Sequence, residues 1–148
     1  MNIRRHALAV IALLAFAVSS APTFAAEKKA AKTPAKERVV IQVSEADPKK
    51  WTLALNVAAN IQKELGADKV QVEIVSFGPG IGMLKADAEI ANRVTDALDG
   101  GVQVVACANS MRLQKIEEAD LVSKVVVVPA GVVEIIKRQR EGWAYLRP

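Results

Sequence analysis

From Val39 to the end of the chain, short runs of β-branched residues alternate with stretches whose apolar residues recur at helical spacing. Val39-Val40-Ile41-Gln42-Val43 reads as a strand buried on both faces, because successive side chains point to opposite sides and nearly all of these are apolar. Asp47 and Pro48 then mark a helix start, with Asp47 as the cap and proline in the first turn, where its missing N–H has no intrahelical partner to lose. In the helix so predicted, which runs to Leu65, Ala54, Val57, Ala58, Ile61 and Leu65 share one face and Gly66 supplies the stop. The next strand is predicted over 70–77, broken by Gly78-Pro79-Gly80, with a loop or short helical turn over 81–85. A second helix over 87–98 turns Ala88, Ala91, Val94 or Thr95, and Leu98 inward, and Gly100-Gly101 ends it. The remainder reads as a strand over 102–107, a short helix over 110–118, a strand over 125–128, a helix over 132–140 stopped by Gly142, and a short last strand within 143–146.

Strands that are apolar on both faces and separated by helices require a parallel sheet between two helical layers. Right-handed crossovers place the carboxyl ends of such strands along one edge, and ligands of open α/β sheets bind outside that edge. Ser44, Phe77-Gly78, Cys107-Ala108-Asn109-Ser110 and Pro129-Ala130-Gly131 are therefore expected to gather there, although they are far apart in the chain.

The residues before Val39 have a different character. Arg4 and Arg5 precede twelve consecutive apolar residues, Ala7 to Val18, and then a small-residue stretch broken by Pro22. Basic, hydrophobic and cleavage regions in that order predict a secretory signal peptide over 1–25, with Thr23 and Ala25 before the scissile bond. The apolar run is too short for the ~20 residues that span a bilayer as a helix, so no stable membrane insertion is expected after cleavage and the mature protein is placed in the periplasm or outside the cell. Residues 26–38 hold five basic and two acidic residues among alanines and Pro34, and read as a flexible basic leader. This organisation resolves the net charge of +4: Arg4 and Arg5 account for two positive charges and the leader for a net three, which leaves 39–148 at −1. With 4% aromatic residues and no basic surplus in the folded part, nucleic acid is excluded as a partner.

The chain has one cysteine, Cys107, and one histidine, His6. That count excludes an intramolecular disulfide framework, a four-thiolate metal site within the chain and a histidine-based triad in the folded region. No metal and no cofactor is called for. Cys107 ends the third predicted strand, and Asn109 and Ser110 are both suitable caps for the helix that follows, so the thiol is expected near unpaired backbone N–H groups that favour an anion. Arg112 adds a positive charge nearby. A thiolate so placed can attack a sulfane sulfur and hold it as a persulfide. A free cysteine is equally at home as a small apolar filler, and spacing does not separate the two uses.

Other motifs have plainer explanations. Gly78-Pro79-Gly80 lacks the spacing of a dinucleotide or phosphate loop and reads as a turn. Glu45, Asp47 and Lys49 are accounted for by capping and solvation, and Glu117, Glu118 and Asp120 by a solvated face. Trp51, Trp143 and Tyr145 are suited to a core margin or a subunit contact, the C-terminal pair to the contact.

Three segments together carry a family resemblance: Val104 to Met111 around the cysteine, Val128-Pro129-Ala130-Gly131-Val132-Val133-Glu134, and the ending Gly142-Trp143-Ala144-Tyr145-Leu146-Arg147-Pro148. With the Phe77-Gly78-Pro79-Gly80 loop and Met83-Leu84, they resemble the DsrE/DsrF-like family over essentially all of 39–148. The resemblance implies a three-layer α/β/α sandwich around a mostly parallel five-stranded sheet, assembled as a homo-oligomer, commonly a trimer or hexamer. It also implies that sulfur-relay members accept sulfur as a persulfide on a cysteine just after the third strand, the place that Cys107 occupies. Those relay members are cytoplasmic, whereas this chain carries an export signal. Two functions follow from the sequence. In one, Cys107 is the sulfur acceptor, exchanging sulfur with a donor or acceptor protein, Asn109 and Ser110 stabilise the anion, and Gly78 and Gly131 shape the pocket. In the other, the chain is a non-catalytic oligomeric module that binds a small ligand at the same edge, and Cys107 is structural.

Overall fold

The structure, a computed structural model, describes residues 36–148. The signal peptide expected over 1–25, and the leader up to residue 35, lie outside the described residues. Eleven elements follow in the order β1 (Glu37–Val43), α1 (Pro48–Leu65), β2 (Val70–Ser76), a 3-10 turn (Gly78–Leu84), α2 (Ala91–Asp99), β3 (Gln103–Cys107), α3 (Ala108–Gln114), a second 3-10 turn (Glu118–Asp120), β4 (Val126–Val128), α4 (Gly131–Arg140) and β5 (Ala144–Leu146). The five strands form one sheet in the order β4-β3-β2-β1-β5, and every pairing is parallel. The chain is thus a three-layer α/β fold with an entirely parallel sheet.

Most boundaries follow from local chemistry. Asp47 caps α1 by accepting the Lys49 N–H at 2.9 Å, Pro48 stands in the first turn, and Gly66 ends the helix. Strand β1 begins two residues before Val39, because Glu37 and Arg38 pair with Val70 and Gln71 of β2 and Glu37 N–H donates to Lys69 O. Helix α2 begins at Ala91 rather than Asp87: residues 85–90 are occupied by an isolated bridge from Lys85 to Leu121 and by tight turns. On α1 the buried side chains are Ala54, Leu55 and Ala58, while Leu65 at the helix end is exposed.

The two faces of the sheet are covered unequally. Residues 39, 41 and 43 of β1, 70, 72 and 74 of β2, and 104 and 106 of β3 point into the main core, which is closed by α1, α2, Met111 of α3 and the Ile81-Met83-Leu84 face of the 3-10 turn. The alternate residues Val40, Val75 and Val105 point to the other side, where Ile135 of α4 and Trp143 complete a smaller cluster. Gly80 marks the closest approach in the main core: a Cβ there would stand 2.5 Å from Val43 O and 2.8 Å from its carbonyl carbon, so no larger residue fits.

Candidate functional site

The order β4-β3-β2-β1-β5 has one reversal that matters for ligands. The chain leaves β3 toward the main-core face through α3, and leaves β4 toward the opposite face through α4, so the outgoing connections diverge between two adjacent strands. Divergence of this kind opens a crevice at the carboxyl ends of the strands, the place where open α/β sheets bind ligands. Cys107 pairs with Val128 at the carboxyl ends of these two strands.

Cys107 stands in the N-cap position of α3, and the residue is 5% exposed. The sequence expectation that Asn109 or Ser110 caps this helix is corrected: the helix begins at Ala108, which puts both residues in its first turn, and neither side chain makes a cap bond. It ends at Gln114 instead of 118, because Lys115 adopts a left-handed conformation with φ 54°.

Inside the first turn the two residues have separate jobs. Gly78 N–H donates to Ser110 Oγ at 2.7 Å, so the Ser110 hydroxyl proton is left free to be given to the Cys107 sulfur. Asn109 points its side chain away, where Oδ1 accepts from Arg112 Nη2 at 2.8 Å. Arg112 is thereby engaged with Asn109 rather than with the thiol. The backbone N–H of Asn109 donates to Pro129 O at 3.3 Å, close to the sulfur whose pKa it helps to lower.

Burial pushes the Cys107 thiol up, and four donors outweigh it: the Gly131 N–H, the Ser110 hydroxyl, and the N–H groups of Ser110 and Asn109. The result is a thiol whose pKa lies below its ordinary value. The strongest of these donors comes from the first residue of α4. Gly131 packs this close to Cys107 because it has no side chain: a Cβ there would lie 3.2 Å from each of Cys107 Cβ, Phe77 Cβ and Val75 Cγ1.

The residues expected at the strand ends therefore do converge. Gly80 N–H donates to Ser44 O, Ser110 holds Gly78, and Gly131 packs on Cys107 and Phe77. One member of the arrangement was not anticipated: Gln114 Nε2 donates to Gly78 O at 2.7 Å, so both sides of the Gly78 residue are fixed by α3. Its only sequence signal is the amide one helical turn beyond Ser110. Glu73 was not singled out either, yet it is a fully buried carboxylate on β2, visible in the sequence as the one acidic residue inside an apolar strand. Glu45, by contrast, is engaged at the surface by Lys50 and Arg147, and Asp47 serves as the α1 cap.

The chain is similar to known proteins over this whole region. The model of the DsrE/DsrF-like family matches residues 37–148. Among solved structures, the protein of unknown function MTH1491 from Methanobacterium thermoautotrophicum is 34% identical, with a TM-score of 0.73 over 76% of this chain and 100% of that one. The ychN protein from E. coli (12% identity, TM-score 0.63, 76% of this chain and 99% of that one) shares the fold. So does the conserved protein of unknown function BT1422 from Bacteroides thetaiotaomicron (13% identity, TM-score 0.61, 76% and 95%). None of the curated proteins matches the chain significantly. The match to the family model and the identity to MTH1491 agree, and the chain belongs to the DsrE/DsrF-like family.

Proposed function

We propose that the protein is an exported sulfur carrier that holds a persulfide on Cys107. The family is associated with sulfur relay. The observation that carries the finer reading is the place of Cys107 at the carboxyl end of β3, in the N-cap position of α3 and packed against Gly131 at the start of α4, where neighbouring N–H groups and the Ser110 hydroxyl lower its pKa. In the reaction, Cys107 Sγ as thiolate attacks the terminal sulfur of a donor persulfide. The new S–S bond forms at Cys107, the donor's S–S bond breaks, and the donor leaves as a thiolate while the transferred sulfur keeps its proton. No oxidant or reductant is consumed. The same N–H groups that hold the thiolate then hold the terminal sulfur when it ionises. At 5% exposure the residue is nearly covered, so the sulfur donor that this reading requires is a narrow one such as a chain of sulfur atoms.

Export is part of the proposal and rests on the order of regions over 1–25; it is checked by the mass of the protein recovered from the periplasm or medium, expected to begin at Ala26. Self-association is supported by the apolar residues that α4 and β4 leave exposed, Val132, Val133, Ile136 and Val126, and by the oxidising surroundings in which a thiol needs cover. The central experiment incubates the mature protein with polysulfide, or with thiosulfate and a sulfurtransferase, and reads intact mass. The expected gain is sulfur on the native protein and none on Cys107→Ala. Absence of a cysteine-dependent gain, with the thiol shown to be accessible to alkylation, refutes the carrier reading; a thiol that reacts only in denaturant supports a structural cysteine in a ligand-binding module.

A further inference from the structure

Helix α4 seats Gly131 against Cys107, yet little apolar surface holds the helix in place. Of its ten residues only Gly131 and Ile135 are buried, while Val132, Val133 and Ile136 face outward. Its other attachment is polar. Glu73 lies at the centre of β2, the middle strand, with 0% exposure, on the face that α4 covers. Arg138 Nε donates to Glu73 Oε1 at 3.1 Å, and Nη2 lies 2.6 Å from Oε2 as an ion pair without hydrogen-bond alignment. The guanidinium also meets Glu134 at 3.0 Å and Glu141 at 3.3 Å, and stacks 4.7 Å from the centre of the Trp143 ring. Arg38 approaches the same ring at 5.8 Å and donates to Glu141 O, which ties the carboxyl end of the helix to β1. Lys137 pairs with Glu134 at 3.7 Å on the outer side.

We propose that Glu73 and Arg138 are positioning residues for Cys107: their ion pair seats α4 on the sheet and so sets how closely the Gly131 N–H approaches the sulfur. The inference rests on the reading of Cys107 as a functional thiolate and concerns what tunes it. The helix has ten residues and tilts as one piece. Ile135 is the buried pivot, Gly131 stands four residues before it and Arg138 three residues after it. At about 1.5 Å of rise per residue Gly131 and Arg138 stand roughly 6 and 4.5 Å from Ile135, so a tilt of the helix that starts at Arg138 also re-aims the Gly131 N–H. A Cβ added to Gly131 would meet Cys107 Cβ, Phe77 Cβ and Val75 Cγ1 at 3.2 Å each, so the first turn of α4 is seated close against the cysteine and a tilt of the helix alters that approach. A buried ion pair is a costly way to hold a helix compared with apolar packing, but it fixes one geometry.

The sign of the effect separates positioning from a direct electric field. Glu73 and Arg138 carry opposite charges, so through space Glu73→Gln would favour the thiolate and Arg138→Met would disfavour it. Through the seat of α4, both disfavour it. The test is a pH titration of the single cysteine, labelled with carbon-13 at Cβ and read by NMR in the full mature chain, for the native protein, Glu73→Gln, Arg138→Met, Arg138→Lys and the apolar pair Glu73→Leu/Arg138→Met. The expected result is a thiolate fraction at neutral pH about three- to ten-fold lower in Glu73→Gln and Arg138→Met alike, equivalent to a rise of roughly half to one pKa unit, with partial rescue by Arg138→Lys. The apolar pair keeps the fold by replacing a buried ion pair with packing and is expected to retain the raised pKa, which separates position from stability. Opposite shifts in the two single variants, or a native titration in the apolar pair, overturn the proposal. The measurement uses no sulfur donor: a native thiol that titrates low but never gains sulfur refutes the carrier function alone, whereas variants that titrate as the native protein refute the positioning role alone.

Discussion

Ser110→Ala removes one oxygen that serves two partners, and the two losses are separable by pH. The first is structural: Gly78 N–H, now 2.7 Å from Ser110 Oγ, loses its acceptor. A buried donor left unpaired costs about 1–3 kcal/mol, and because Gly78 is only half-buried the lower end, about 1 kcal/mol, applies. This loss is present at every pH. The second loss exists only when Cys107 is ionised, since the Ser110 hydroxyl is one of the donors that hold its pKa below the ordinary thiol value. A group with a lowered folded pKa adds stability that is complete above the unfolded pKa and disappears as pH falls through the folded value. Removing a donor to an anion raises the folded pKa again, and a lost hydrogen bond to a charged group, about 1.5 kcal/mol at the lower end, is felt on the alkaline side alone. Urea unfolding of native protein and Ser110→Ala should therefore show a destabilisation of about 1 kcal/mol in mild acid that grows to roughly 2.5 kcal/mol above the ordinary thiol pKa. The same pair compared in a Cys107→Ala background should lose the alkaline increment and keep the constant part. A destabilisation that does not change with pH would refute the assignment of the hydroxyl proton to the sulfur; no destabilisation at all would refute its role as acceptor for Gly78.

Two further outcomes follow from other parts of the molecule. Gly80→Ala places a Cβ 2.5 Å from Val43 O, a backbone atom that cannot turn aside, and is expected to cost more than about 3 kcal/mol in urea unfolding, above the usual range for overpacking. Glu45 is held at a pKa of about 2 chiefly by the Arg147 side chain, against its modest desolvation, with Ser44 adding further hydrogen bonds. The stabilisation from Glu45 is complete above the ordinary carboxylate pKa and is lost as pH falls through about 2; Arg147→Gln should return the Glu45 titration, followed by carbonyl NMR, toward the ordinary value, and an unmoved titration would show that Arg147 is not its partner.

How far the sequence led depended on whether a feature was local. The β-branched runs, Asp47-Pro48, Gly66 and Gly142 announced strands and helix ends because each acts on its own few residues. The start of α2 was misplaced because residues 85–90 are drawn into a bridge with Leu121, a partner more than thirty residues away. The same limit applies at the site. Cys107 and the gathering of Phe77, Gly78 and Gly131 around it were legible from strand ends and the parallel topology. The division of labour between Asn109 and Ser110 was not, since it depends on the β3 to α3 junction shifting by two residues so that Cys107 itself takes the cap position. That Ser110 turns to Gly78 while Asn109 turns to Arg112 is decided by tertiary neighbours, not by capping propensity.

The unequal cover of the sheet accounts for where the chemistry sits. The main core, beneath α1, α2, α3 and the 3-10 turn, contains the deepest apolar side chains, among them Ile41, Ile74, Ile81, Met83 and Leu84 at 0% exposure, and packing of that density tolerates neither motion nor a polar guest. The opposite face is crossed by α4 alone, held at Ile135 and at Arg138. Because side chains alternate along β3, Cys107 falls on the same face as Val105, the one that α4 alone crosses. The two faces therefore contribute differently to the molecule. The even-numbered residues of β2 and β3 face the main core, while the odd-numbered ones, Glu73, Val75, Val105 and Cys107, form a continuous track from the seat of α4 to the cysteine. Substitutions along that track are expected to alter the ionisation of Cys107 out of proportion to their effect on folding, the reverse of the behaviour of their neighbours one residue away.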